Sequence, residues 1–359
     1  MCTIHYGTFN KKTRKRIGMI KASRKPQGHI VYLKYSSKIL KNNPLHDPHA
    51  RKIGIYLPAE YEMHPKKRYP LFMYLAGFTG SGLDALNWRN FTENLPERLD
   101  RLMYEKKMGP VIVIFPDCFT RLGGNQYINS TAIGNYEDYL IDEIIPCVEN
   151  QFRTFNHRDK RACFGHSSGG YGSLMYGMKR PDVWGAIACH AGDMHFDLCY
   201  RTDFPAVCTT LGKYNGSIQN FLKTFEKASR PSREDIELLM TIAMAASYDA
   251  DKNTPLGFHW PVDYFTAEID EKRWKHWKAH DPLHIVEKYA HNLRKLHHLY
   301  LDAGNRDEYR MHFGARLLVN KLKRLKIKHF YEEFNDGHSG TAYRFDISLP
   351  MLYSALIKS

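Results

Sequence analysis

The stretch RACFGHSSGGYG, Arg161 to Gly172, places Ser167 and Ser168 among Gly165, Gly169, Gly170 and Gly172. A serine hydroxyl is a weak nucleophile unless a base takes its proton and its position is fixed. The segment GHSSG has the pattern Gly-x-Ser-x-Gly centred on Ser167. In that pattern the serine sits on a sharp strand-to-helix corner, and the glycines remove Cβ atoms that would collide there. A plain glycine-rich turn is the competing interpretation. The flanks favour the corner: RACF reads as a strand, YGSLMYGM as a helix, and Gly170 and Gly172 let that helix approach the sheet.

A serine on such a corner is expected to be followed along the chain by an acid and then a histidine. Two downstream strand ends supply candidates. LYLDAGNRDEY carries Asp302 and Asp307, and FYEEFNDGHSGTAYRF carries His338. His338 follows a glycine beyond the end of a strand, where sheet enzymes place their sites. Asp307 falls on the loop that would lean towards it. Asp302 is expected to end the strand or to pair with the backbone, and Asp336 is too near His338 in sequence to orient it. Asp307 is therefore the preferred acid and Asp302 the second choice. One helix and one strand fit between Asp307 and His338.

Acyl transfer also requires donors aimed at the oxyanion. The N–H of Ser168, directly after the nucleophile, is one candidate. YLAGFTGSG ends an early strand and is rich in glycine; it offers the N–H of Phe78, with Gly77 as the alternative.

Positioning these groups requires alternating strands and helices. Strands are expected at HIVYLK, KIGIYLP, PLFMYLAG, VIVIFPD, RACFGH, GAIACHAG, LHHLYLDAG and KIKHFYEEF. Several are continuous apolar runs, as in strands covered on both faces. Helices are expected at NYEDYLIDEIIPCVENQF, SGGYGSLMYGMKR, RDEYRMHFGARLLVNKLKRL and from Asp346 onwards. This order predicts an α/β fold, with a mostly parallel central sheet, helices on both faces and an antiparallel edge at its start. Residues 200–295 break the pattern. GSIQNFLKTFEKA and SREDIELLMTIAMAASYDA read as two successive helices, followed by the loop-like GFHWPVDYFTAEIDEKRWKHWKAHDP. This stretch is read as an insertion forming a helical cap. The domain division is a basic N-terminal segment at 1–27 and one domain at 28–359 that contains the insertion.

Composition is compatible with this and narrows the alternatives. The chain has 359 residues, 43% hydrophobic and 25% charged, as in folded globular proteins. It contains no apolar run of about 18 residues, so no membrane span is expected. The N-terminus lacks the apolar stretch of a secretory signal. Seven scattered cysteines without a Cys-x-x-Cys pair read as reduced thiols, and a cytoplasmic location is expected. Nineteen histidines include no HExxH motif, and neither metal nor cofactor is expected. The formal charge is +14, but its clusters (KKTRKR, HPKKR, EKRWKHWK and NKLKRLKIK) accompany no nucleic-acid motif. They read as a solvated surface, and nucleic acid is not expected as a partner. The expected partner is a small-molecule ester; self-association into a homo-oligomer is left open.

These segments together resemble the esterase D-like family of α/β-hydrolases, which includes S-formylglutathione hydrolases, enterochelin esterases and feruloyl esterases. The likeness rests on RKIGIYLPAEY, LAGFTG, VIVIFPD, YINSTAIGNYEDYLIDEIIPCVE, FGHSSGGYGSLMYGMKRPDVWGAIACHAG, DAGNRDEY and DGHSG. It covers residues 28–357 apart from the insertion. The resemblance implies an α/β-hydrolase fold, with Ser167 as nucleophile, Asp307 as acid and His338 as base. It implies a serine esterase that works through an acyl-enzyme without a cofactor. An acyltransferase with the same residues, or a catalytically silent binding protein on the same fold, are the other functions it admits. Two features depart from the family. Ala76 stands where members commonly carry histidine, and the insertion is longer than in compact members. Trp88, Tyr127, Trp274 and Trp277 are candidates either for lining a pocket or for packing.

Overall fold

The computed structural model describes residues 3–5 and 26–358. The strands are β1 (Thr3–His5), β2 (His29–Ser36), β3 (Ala50–Leu57), β4 (Leu71–Leu75), β5 (Ile112–Phe115), β6 (Arg161–His166), β7 (Ala186–His190), β8 (His298–Gly304) and β9 (Phe330–Phe334). They form one nine-stranded sheet in the order β1-β2-β3-β5-β4-β6-β7-β8-β9. The first strands are antiparallel to their neighbours. From β5 to β9 every pair is parallel. This is the α/β arrangement expected, with its antiparallel edge at the start.

The apolar strands explain the layering. All of Ile112, Val113, Ile114 and Phe115 are buried, so both faces of β5 need a cover. Alternate residues along a strand point to opposite faces. Accordingly Leu71, Met73 and Leu75 join one core, whereas Phe72 joins another. On the Phe72 face pack α1 (Leu95–Tyr104) and the chain's last helix. On the other face a helical stretch opens at Tyr136, widens to a π-type turn over Tyr139–Ile144 and ends in α2 (Ile145–Gln151). Beside it lies α3 (Ser168–Lys179), buried from Ser168 to Met178. Helix α1 is absent from the sequence expectations above.

Residues 200–295 contain four longer helices rather than two: α4 (Phe204–Gly212), α5 (Ile218–Phe225), α6 (Arg233–Tyr248) and α7 (Glu271–Lys278). Helix α7 is EKRWKHWK, whose charge disguises an inward stripe of Trp274 and Trp277, both fully buried. Ser232 caps α6 and Asp235 reciprocates, a capping box that fixes its start. The chain re-enters the sheet at β8 and ends with α8 (Met311–Arg324), β9 and α9 (Phe345–Lys358).

One further feature differs from expectation. Thr3–His5 lies within the supposed basic N-terminal segment, yet it pairs with Tyr32–Lys34 of β2 as an edge strand. The KKTRKR cluster lies outside the described residues. The cysteines from Cys118 to Cys208 are free thiols, all buried except Cys147, which is half-buried. No helix among the described residues is long and apolar enough to cross a membrane.

Candidate active site

Strand β6 lies between β4 and β7, with Gly165 level with Leu75 on one side and Cys189 on the other. The chain turns abruptly at its end. Ser167 has φ 57° and ψ −125°, and α3 starts at the next residue. A non-glycine residue held there costs on the order of 1–3 kcal/mol, which the surroundings must offset. The N–H of Ser167 donates to the His190 carbonyl at 2.9 Å, and its own carbonyl accepts from the Tyr171 N–H at 2.9 Å. The flanking glycines are required by close approach. A Cβ on Gly165 would come within 2.4 Å of the Leu75 carbonyl oxygen, and one on Gly169 within 1.9 Å.

His338 lies in the loop after β9. Its Nδ1 is 2.7 Å from Oδ2 of Asp307, in the loop after β8. The Asp307 side chain is fully buried and that of His338 nearly so. The other Asp307 oxygen accepts from the N–H groups of Tyr309 (2.9 Å) and Met311 (3.4 Å). A carboxylate only accepts, so this contact assigns the Nδ1 proton to His338 and leaves Nε2 as the basic nitrogen. The backbone is fastened too, since the His338 N–H donates to Glu308 Oε2 at 2.7 Å.

Asp302 is occupied elsewhere. It lies within β8, and its carboxylate takes hydrogen bonds from His190 Nδ1 (2.8 Å), Arg344 Nε (3.0 Å) and Tyr300 OH (2.9 Å). The expectation that it would pair with the backbone therefore needs correction: its side-chain partners are side chains. Burial alone would raise its pKa, but His190 and Arg344 hold it below the usual carboxylate range.

Ser167, Ser168, His338, Gly77 and Phe78 all line one cavity of about 290 Å³. The N–H of Ser168 heads α3, where the first-turn amides have no partner within the helix. In the loop after β4 the Thr79 N–H is committed to the Gly123 carbonyl at 2.7 Å, which leaves Phe78 and Gly77 as the oxyanion candidates. This loop is tied down from below. Tyr127 OH donates to the Ala76 carbonyl at 2.7 Å, and Tyr127 itself has φ 59°. Thus the position that departs from the resembled family has its backbone secured by a buried tyrosine. Of the four pocket-or-packing aromatics, Tyr127, Trp274 and Trp277 are buried packing residues and Trp88 is exposed.

Several lining residues were not singled out from the sequence. The His166 ring lies against that of His338, tilted by 52° with centroids 4.5 Å apart, and Tyr309 meets His338 edge-on at 4.7 Å. Burial, reinforced by His338 and His190, depresses the His166 pKa to about 3, so it stays neutral beside the base. Ile236, Glu237 and Met240 reach the cavity from α6, so the insertion forms part of its wall. Asp193, Tyr200 and Met311 complete much of the rest. The G-x-S-x-G pattern points to His166, because it is the residue before the serine. No comparable local signal marks the others. A larger groove of about 740 Å³, lined by Met103, Tyr104, Tyr353 and Ile357 among others, includes none of the expected site residues.

A serine on a strained strand-to-helix corner, at the centre of a sheet ordered in this way, places the protein among the α/β-hydrolase folds. More narrowly, the chain belongs to the Esterase family ("Putative esterase"), whose family model matches residues 48–351. Esterase MT1326 of Mycobacterium tuberculosis (strain CDC 1551 / Oshkosh) is 28% identical over 149 residues, covering 39% of this chain and 28% of that protein's length. The chain is thus matched to only about a quarter of that relative. Among solved structures, a ferulic acid esterase superposes with a TM-score of 0.59 at 16% identity, over 92% of this chain and 99% of its own. FphF, a fluorophosphonate-binding serine hydrolase of Staphylococcus aureus, gives 0.57 at 14% identity, over 93% and 100%. These two likenesses concern the fold.

Proposed function

We propose that the protein is a serine esterase that hydrolyses a small carboxylic ester through Ser167, His338 and Asp307. The observation that carries this is the meeting of three loops at one cavity: Ser167 on its strained corner, and His338 with its Nδ1 bound to the buried Asp307. The family and the esterase titles of the relatives support the same activity.

In this mechanism His338 Nε2 takes the Ser167 proton as Oγ attacks the ester carbonyl. Asp307 keeps the ring in the required tautomer and stabilises the imidazolium that forms. Negative charge develops on the carbonyl oxygen and is met by the N–H groups of Ser168 and Phe78. Such donors are effective because they are oriented before the charge appears. The protonated His338 then gives its proton to the departing alcohol. Water, deprotonated by the same histidine, attacks the acyl-enzyme and frees the acid and Ser167. A cavity of about 290 Å³ suits a compact ester, at the lower end of small-molecule sites.

The test is active-site labelling with a fluorophosphonate, together with turnover of p-nitrophenyl esters. Wild-type protein should take up one label and hydrolyse the esters. Ser167→Ala should do neither. An unlabelled wild-type protein without turnover would remove the proposal.

A further inference from the structure

The chain carries a formal charge of +14, yet the cavity beside Ser167 has the opposite character. Its lining includes the carboxylates Asp193 and Glu237 and no lysine or arginine. Asp193, in the loop after β7, is 3% exposed. Its Oδ2 accepts from Tyr200 OH at 2.6 Å and Gln126 Nε2 at 3.0 Å, both neutral donors. No cation among the described residues pairs with it. Burial pushes its carboxyl above the usual range, opposed by those two hydrogen bonds. Glu237 faces the cavity from α6, half-buried. Its Oε1 accepts from Arg233 Nε at 2.9 Å, one turn back, but the Arg233 side chain is 79% exposed. Exposed pairs of this kind hold their partners weakly. The aromatic rings of Phe78, Tyr200 and Tyr309 line the same space.

We propose that this cavity selects esters bearing an ammonium group, held by Glu237 and Asp193 among the aromatic rings, and disfavours esters bearing a carboxylate. The inference rests on Ser167 being the nucleophile and adds the substrate's charge class. The physical basis is that a carboxylate shielded from water and paired only with neutral donors gains from a cation placed nearby. A quaternary ammonium is also attracted to ring faces. A second anion in the same space meets two carboxylates, and the cation paired with Glu237 is the largely exposed Arg233 side chain, outside the lining. The insertion supplies Glu237, so it would determine charge preference as well as size.

The experiment compares three thioacetates that all release a thiol: acetylthiocholine, its uncharged carbon isostere 3,3-dimethylbutyl thioacetate, and 3-(acetylthio)propionate. The expected order of kcat/KM is cation, isostere, anion, with the cation ahead of the isostere by about tenfold. Glu237→Gln should collapse that ratio towards one, and Glu237→Asp should restore part of it. An isostere turned over as well as or better than the cation, or a ratio indifferent to Glu237→Gln, overturns the proposal. Turnover that persists in Ser167→Ala would instead remove the catalytic proposal beneath it.

Discussion

His338 Nδ1 lies 2.7 Å from Asp307 Oδ2, in the loop after β8, while Asp302, within β8, is bound by His190, Arg344 and Tyr300. Two aspartates five positions apart therefore have separate tasks. One orients an imidazole at the cavity; the other neutralises a buried network under the sheet's end.

That division predicts opposite mutant signatures. Asp307→Asn should lower kcat by about 10⁴, because an amide favours the wrong imidazole tautomer, with little change in the urea midpoint. Asp302→Asn should instead destabilise the fold by roughly 3–5 kcal/mol, since it leaves Arg344 buried without its full counter-charge. Steady-state kinetics and urea unfolding on both variants distinguish the two. The reverse pairing of effects would make Asp302 the acid.

The neutral, buried His166 predicts an acid-sensitive fold. Its pKa is about 3 when folded, against 6.5 as the ordinary value. Between those values the unfolded chain binds the extra proton, so the stability linked to this residue is present above pH 6.5 and is lost as pH falls. By pH 4 the loss is on the order of 3 kcal/mol. His280, lowered to about 4 by burial first, adds to the same limb. Urea midpoints measured from pH 7 to pH 4 should therefore fall steeply. In His166→Gln they should fall less steeply, by about one proton. An unchanged slope in that variant would mean that His166 titrates normally.

The Tyr127 hydroxyl holds the carbonyl of Ala76, two residues before Phe78. Tyr127→Phe leaves that buried carbonyl without its donor, at a cost of about 1–3 kcal/mol. The loop that carries the proposed oxyanion donor Phe78 should loosen, so kcat should drop by about tenfold while KM changes little, because such donors act in the transition state. A variant altered in KM alone would place the tyrosine's influence on binding instead.

Met240 and Ile236 line the cavity from α6. Met240→Ala should enlarge it and raise the kcat/KM ratio of p-nitrophenyl hexanoate to acetate several-fold. A ratio that stays constant in both Met240→Ala and Ile236→Ala would show that the insertion does not set substrate size.

Much of this arrangement was legible before the structure, for identifiable reasons. Gly165 and Gly169 are dictated by the backbone of β4 at 2.4 Å and 1.9 Å from any added Cβ, so a local pattern betrays the corner. Asp307 follows a strand with a conspicuous apolar run, HLYLDAG, and His338 stands in the glycine-flanked DGHSG. The cavity wall was not legible. Asp193 and Tyr309 stand on the loops after β7 and β8, Glu237 on α6, and only the folded chain brings the three to one cavity. Helix α7 was missed because EKRWKHWK reads as charged loop until Trp274 and Trp277 are seen to share one buried face. The pairing of Thr3–His5 with β2 was missed because a three-residue strand has no periodicity to read.

The most direct measurement is on the two adjacent serines. Ser167→Ala and Ser168→Ala should each be treated with a fluorophosphonate probe and assayed on p-nitrophenyl acetate. Ser168 is expected to act through its backbone N–H at the head of α3, which alanine retains. Ser168→Ala should therefore take the label and keep much of the activity, and Ser167→Ala should lose both. Label and turnover surviving in Ser167→Ala, with their loss in Ser168→Ala, would contradict the account.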